Sequence, residues 1–140
     1  MFYLHDIRQH KHSIVEQSFP DGTLHLNLPD IAISAVTWHY ENDAELFTLI
    51  CLRKHYGQAK AILWLRYCPH ARMDRVKETR DVFTLKYFAE VINDLNFKQV
   101  NILDPHSSVC TALINNVRVL SPKDYIIHAI EDCQPNLLFY

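Results

Sequence analysis

Apolar residues recur along this chain with two different periods, and the switches between them mark out its elements. Leu24, Leu26 and Leu28 alternate with His25 and Asn27, the period of a half-buried strand. Residues 14–18 form a second extended run on the other side of Phe19-Pro20-Asp21-Gly22. Asp-Gly between two such runs predicts a hairpin. The stretch from Ile31 to Trp38 is more continuously apolar and predicts a central strand covered on both faces. Further strands are expected over Ala61 to Leu65, Val100 to Leu103 and Val117 to Leu120. Between them the period lengthens. Asn42 with Glu45 three residues later predicts a capped helix start, and Gly57 suits the position just past its end. Leu85, Phe88, Ala89, Ile92 and Leu95 line one face of a second helix. A short helix is expected over Ser107 to Leu113, and another over Asp124 to Glu131, opened by Ser121-Pro122.

Strands and helices thus alternate from residue 31 onward. That order predicts an α/β domain with a mainly parallel sheet, helices on both faces and an amino-terminal antiparallel hairpin. Ligands of open α/β sheets bind in the loops beyond the carboxyl ends of the strands. Two such loops carry chemistry. Tyr67-Cys68-Pro69-His70-Ala71-Arg72-Met73-Asp74-Arg75 follows the 61–65 strand, breaks at its proline, and sets two arginines around a carboxylate. A guanidinium fork can grip a pair of phosphate oxygens, and Asp74 can orient the arginine beside it. Asp104-Pro105-His106-Ser107 stands in the same relation to the strand at 100–103. Here a helix amino terminus favours anions, and the imidazole of His106 can ligate a metal.

Composition narrows the choice of ligand. The chain has 140 residues, 49% apolar and 21% charged, which suits one globular domain of ordinary size. A formal net charge of −2 gives no global field that would draw nucleic acid or an anionic membrane. The basic character is local, between Arg72 and Arg80. No apolar run approaches the roughly 18 residues of a membrane span, and the first residues lack a signal-peptide layout. A cytoplasmic protein is predicted. Gly22 and Gly57 are the only glycines, which excludes a Gly-x-Gly-x-x-Gly fingerprint and a P-loop. Phosphates would have to be held by side chains and helix termini. The cysteines at 51, 68, 110 and 133 show neither Cys-x-x-Cys nor zinc spacing, so free thiols are expected. His10-Lys11-His12 reads as a solvated stretch rather than a metal hook, and Ser107 has no nucleophile elbow around it. The run Leu137-Leu138-Phe139-Tyr140 ends without a polar tail, as expected of a truncated piece or a split gene product.

Three segments together resemble the ribose-phosphate pyrophosphokinases, or PRPP synthetases. That family carries a Phe-Ser-Asp-Gly-Glu turn, a Tyr-Phe-Pro-Tyr-Ala-Arg-Gln-Asp-Arg loop and an Asp-Leu-His motif after a strand. Here they stand as Phe19-Pro20-Asp21-Gly22-Thr23, Tyr67 to Arg75, and Asp104-Pro105-His106. The resemblance implies a three-layer phosphoribosyltransferase-like domain, the amino-terminal half of an enzyme that moves pyrophosphate from ATP to ribose 5-phosphate. The product, PRPP, serves nucleotide biosynthesis or NAD salvage. It also implies that Arg72 is the chief contact to the ATP phosphates, with Asp74 and Arg75 in support. By the same resemblance His106 holds magnesium, with Asp104 behind it. Phe19 and Asp21 would bind the base and ribose in a neighbouring subunit of a homodimer or hexamer. The ribose-phosphate loop, the catalytic loop and an aspartate metal ligand would lie beyond residue 140, leaving this chain alone inert. Met73 and Thr23 depart from the family's glutamine and glutamate, both at the base-binding end. They leave open an alternative, a non-catalytic regulatory or oligomerisation subunit of the same fold.

Overall fold

The computed structural model describes residues 1–57 and 60–133. Strands β1 (Phe2–Asp6), β2 (Lys11–Ser13), β5 (Ile33–Trp38), β6 (Ile62–Leu65), β7 (Gln99–Leu103) and β8 (Val117–Leu120) form one sheet in the order β2-β1-β5-β6-β7-β8. From β5 to β8 the strands are parallel neighbours in chain order, while β1 runs antiparallel to both β2 and β5. The predicted hairpin is present as a separate antiparallel pair, β3 (Glu16–Ser18) with β4 (Leu24–Leu26). The run Leu137–Tyr140 lies outside the described residues.

Helices α1 (Glu45–His55), α2 (Thr84–Asp94) and α3 (Ser108–Leu113) make the crossovers, and α4 (Lys123–Cys133) follows β8. Each crossover steps one strand in the same direction. The right-handed rule for such units places α1, α2 and α3 on one face of the sheet. The register agrees. Leu4 pairs with Val36, Val36 with Leu63 and Leu63 with Val100, giving a buried row straight across the sheet. A second row, Phe2, Trp38, Leu65 and Ile102, is also buried. Leu49 and Leu52 of α1 and Leu85, Phe88, Ala89 and Ile92 of α2 close over these rows in a single core. Fully burying one such side chain contributes about 1.5–3 kcal/mol.

The opposite face is more polar. Thr37 pairs with Trp64, and Trp64 with Asn101. His5 Nε2 lies 3.0 Å from Thr37 Oγ1, and Gln99 Nε2 donates to Asn101 Oδ1 at 2.5 Å, so the buried side chains of Thr37 and Asn101 have partners. At the carboxyl end of β6, Arg66 donates to Tyr125 Oη on α4 (3.4 Å).

The start of α1 differs in detail from the expected cap. Ala44, not Asn42, occupies the N-cap position, and the Asn42 side chain accepts from the Ala44 N–H at 3.0 Å. Glu45 is buried and reaches back, accepting from the Trp38 indole (2.9 Å) and the Glu41 N–H (2.8 Å). This carboxylate pins the loop at 39–44 to the end of β5. At the other end of α1, Tyr56 is the C-cap and Gly57 follows with φ +56°, the left-handed residue expected there.

Candidate functional site

Because β5, β6 and β7 are parallel, the loops at 39–44, 66–83 and 104–107 all leave the same edge of the sheet. Two of them take an uncommon backbone turn. His70 has φ 61° and Asp104 has φ 46°, in the left-handed region that costs a non-glycine residue about 1–2 kcal/mol.

The loop after β6 begins as a tight coil. The Ala71 N–H donates to the Cys68 carbonyl (3.3 Å) and the Met73 N–H to the His70 carbonyl (2.9 Å). Cys68, Pro69 and Ala71 point into the protein, and this leaves Arg72 exposed. His70 anchors the coil sideways. Its Nε2 lies 3.0 Å from Asp43 Oδ1, and its ring packs between Phe88 (5.6 Å) and Tyr40 (6.5 Å). The Tyr40 hydroxyl donates to the same Asp43 oxygen at 2.7 Å, and this bond to a carboxylate pushes the phenol up to about 12. The far part of the loop is closed by Asp81, whose carboxylate accepts from the N–H groups of Lys77 (2.9 Å) and Glu78 (3.0 Å).

Asp74 is where the two predicted motifs meet. Its side chain is only 10% exposed, although that of its neighbour Arg75 is 72% exposed. Arg75 Nε donates to Asp74 Oδ1 at 2.9 Å, and Nη2 to Oδ2 at 3.4 Å. The carboxyl is held below its ordinary value, first by these Arg75 bonds and further by the Ser107 hydroxyl and the nearby His106 ring. The Ser107 contact falls short of a well-formed hydrogen bond: its buried Oγ has no partner that satisfies bonding geometry. Ser107 is also the N-cap residue of α3, with an extended backbone.

Arg72 and His106 are both exposed beside this junction. The Arg72 guanidinium makes no hydrogen bond or ion pair to the described residues, so it is free to take a ligand. Asp104 is exposed, its N–H donating to the Leu120 carbonyl at 3.0 Å, and its carboxylate makes no hydrogen bond to His106. Asp74 is a carboxylate that the His106 ring reaches electrostatically from the neighbouring loop.

The hairpin turn is not joined to this cluster. Phe19 is half exposed and packs on His25, with ring centres 4.8 Å apart. Asp21 Oδ1 accepts from both the N–H (3.0 Å) and the hydroxyl (2.7 Å) of Thr23, which hold its pKa low. The hairpin instead flanks a groove of about 510 Å3 against the start of α1, lined by Glu16, Ser18, Thr23, Leu24, Phe47 and Thr48.

Sequence reasoning missed Asp43 and Tyr40, which carry no motif, and His70, which lies inside one. It also expected free thiols. The structure instead brings the sulfurs of Cys68 and Cys110 within bonding distance, across 42 residues, with Cα atoms 7.3 Å apart. No Cys-x-x-Cys spacing announces such a pair. Cys68 and Cys110 meet because β6 and β7 are adjacent, so the segments that follow them are neighbours too. Cys51 is free.

No family model matches this sequence, and no curated protein matches it. The fold is similar to the crystal structure of phosphoribosylpyrophosphate synthetase from Mycobacterium smegmatis, with a TM-score of 0.67 over 86% of this chain and 12% sequence identity. The chain spans 43% of that enzyme's chain. At that identity the likeness concerns architecture, and it establishes a phosphoribosyltransferase-like α/β fold with a mainly parallel sheet.

Proposed function

We propose that the loops beyond β6 and β7 bind the polyphosphate of magnesium-ATP, and that this chain is the nucleotide-binding half of a ribose-phosphate pyrophosphokinase-like enzyme. What supports this reading is Asp74, bonded to Arg75 and within electrostatic reach of the His106–Ser107 turn, beside an Arg72 that makes no bond to the described residues. Arg72 takes the phosphate oxygens through its fork, while Asp74 and Arg75 fix the loop that presents it. His106 contributes one ligand to magnesium. Among the described residues no group of three or more His, Cys, Asp or Glu side chains could hold a metal. Magnesium prefers oxygen ligands, so on this reading its phosphates and water fill most of its shell and His106 takes one position. In an assembled homodimer or hexamer, Phe19 of one copy stacks on the base bound by another, with Asp21 at the ribose. The acceptor, ribose 5-phosphate, is held by protein outside these residues, so the chain alone binds nucleotide without turnover.

Calorimetric titration of the 140-residue chain with magnesium-ATP tests this. A sub-millimolar Kd, about −4 to −6 kcal/mol, is expected, with inorganic tripolyphosphate competing. Absence of binding by both ligands overturns the reading.

The hairpin turn favours a second reading. The Thr23 hydroxyl donates to Asp21, which leaves that carboxylate less free to take a ribose. On that account the chain is a non-catalytic relative that keeps the fold and joins partner subunits. It then binds a catalytic subunit and no nucleotide.

A further inference from the structure

Cys68 and Cys110 sit at the roots of the two loops that form the candidate site. Cys68 is four residues before Arg72, and Cys110 is on α3, three residues after Ser107. They are 2% and 0% exposed, and both belong to the main core. A bond between these sulfurs ties the loop coil to α3, and reducing it removes that tie.

We infer that Cys68 and Cys110 form a reversible redox switch that sets how firmly the 66–83 loop is held against the His106–Ser107 turn. The inference rests on the proposed polyphosphate site for its functional consequence, but not for its chemistry. The co-reactant is a small-molecule disulfide of the glutathione type. One protein thiolate attacks it and releases one small thiol. The second protein thiolate attacks the mixed disulfide and releases the other. Two protein thiols are oxidised and one small disulfide is reduced to two thiols, which take up the two protons lost by the protein. Since both sulfurs are buried, exchange proceeds only when the loop lifts, and a ligand bound across the loop slows it. The closed bond pre-organises the anion site, so the oxidised chain binds polyphosphate more tightly.

The test equilibrates the full 140-residue chain in glutathione buffers of stepped ratio, with alkylation and peptide mass analysis reading the Cys68–Cys110 link. Hydrogen exchange and calorimetry with inorganic tripolyphosphate follow on each form. The expected result is a linked peptide in oxidising buffer and slower exchange over 66–83 and 104–113. Tripolyphosphate affinity should be about three- to tenfold higher than in the reduced form. Cys110→Ala should hold the reduced affinity in every buffer. Failure to link at any ratio overturns the switch, as does a linked protein with unchanged exchange. Linkage with slowed exchange but no tripolyphosphate binding by either form sustains the switch and overturns the polyphosphate site instead.

Discussion

Asp21 and Asp74 both lie in polar loops, both accept hydrogen bonds, and both are held below the ordinary carboxylate range. Their partners separate them. Everything that binds Asp21 belongs to Thr23, two residues away, so the carboxylate closes its own turn and would do so in any hairpin of this sequence. Asp74 takes Arg75 from its own loop and reaches the His106–Ser107 turn from another strand. A carboxylate satisfied locally makes a turn. One that faces two strand-end loops can organise a surface, and on the proposed reading the exposed Arg72 nearby would give that surface its ligand preference.

The sharpest test of this contrast is Arg72→Ala. The side chain is exposed and without partners among the described residues, so the thermal midpoint should not move. Magnesium-ATP affinity should fall about 10- to 100-fold, as expected for losing charge-assisted hydrogen bonds of about 1.5–3 kcal/mol. A calorimetric change under twofold would place phosphate binding elsewhere. Next is Phe19→Ala, expected to weaken nucleotide binding roughly tenfold, within the range of base–aromatic stacking, but only at concentrations where the protein assembles. An equal loss in unassembled protein would mean that the hairpin serves its own subunit.

Asp74→Asn keeps the size of the side chain and removes its charge. Affinity should drop about fivefold, with faster hydrogen exchange over 66–83. The same residue yields a pH test. Asp74 is held below 3.8, chiefly by Arg75. A carboxyl group depressed in the folded state contributes fully above its ordinary value, and the contribution fades as pH falls through the folded value. Wild type should therefore melt above Asp74→Asn at neutral pH, and the gap should close below pH 3.8. A gap that survives strong acid would assign it to something other than the charge. The smallest effect belongs to Asp21→Ala. Its midpoint should fall by about two degrees, with affinity unchanged in unassembled protein.

Most of the fold was legible because burial follows the two periods. The alternation at Leu24–Leu28, the dense run ending at Trp38 and the helical spacing from Leu85 to Ile92 all correspond to observed elements. The cap of α1 was less legible. Asn42 and Glu45 were the right residues, but Glu45 turns into the core toward Trp38 and the helix starts at Glu45 itself, later than an Asn42 cap implies. The two site loops could be placed after their strands, since that follows from a parallel sheet. Their cross-links could not. The His70–Asp43 contact and the Cys68–Cys110 pair join segments distant in sequence, and only strand order brings them together. The prominence of Asp74 over Asp104 was hidden for the same reason. Asp104 is nearer to His106 along the chain, yet it is exposed and makes no hydrogen bond to that ring, while Asp74 interacts with it electrostatically from the neighbouring loop.

The central claim is that Arg72 and His106 act on one bound polyphosphate across the Asp74 junction. A calorimetric double-mutant cycle with magnesium-ATP, using Arg72→Ala, His106→Ala and the double variant, measures this directly. The account predicts non-additive losses, with a coupling of at least about 1 kcal/mol, or roughly fivefold. Losses that add within about 0.3 kcal/mol would contradict it and leave the two loops as separate surfaces.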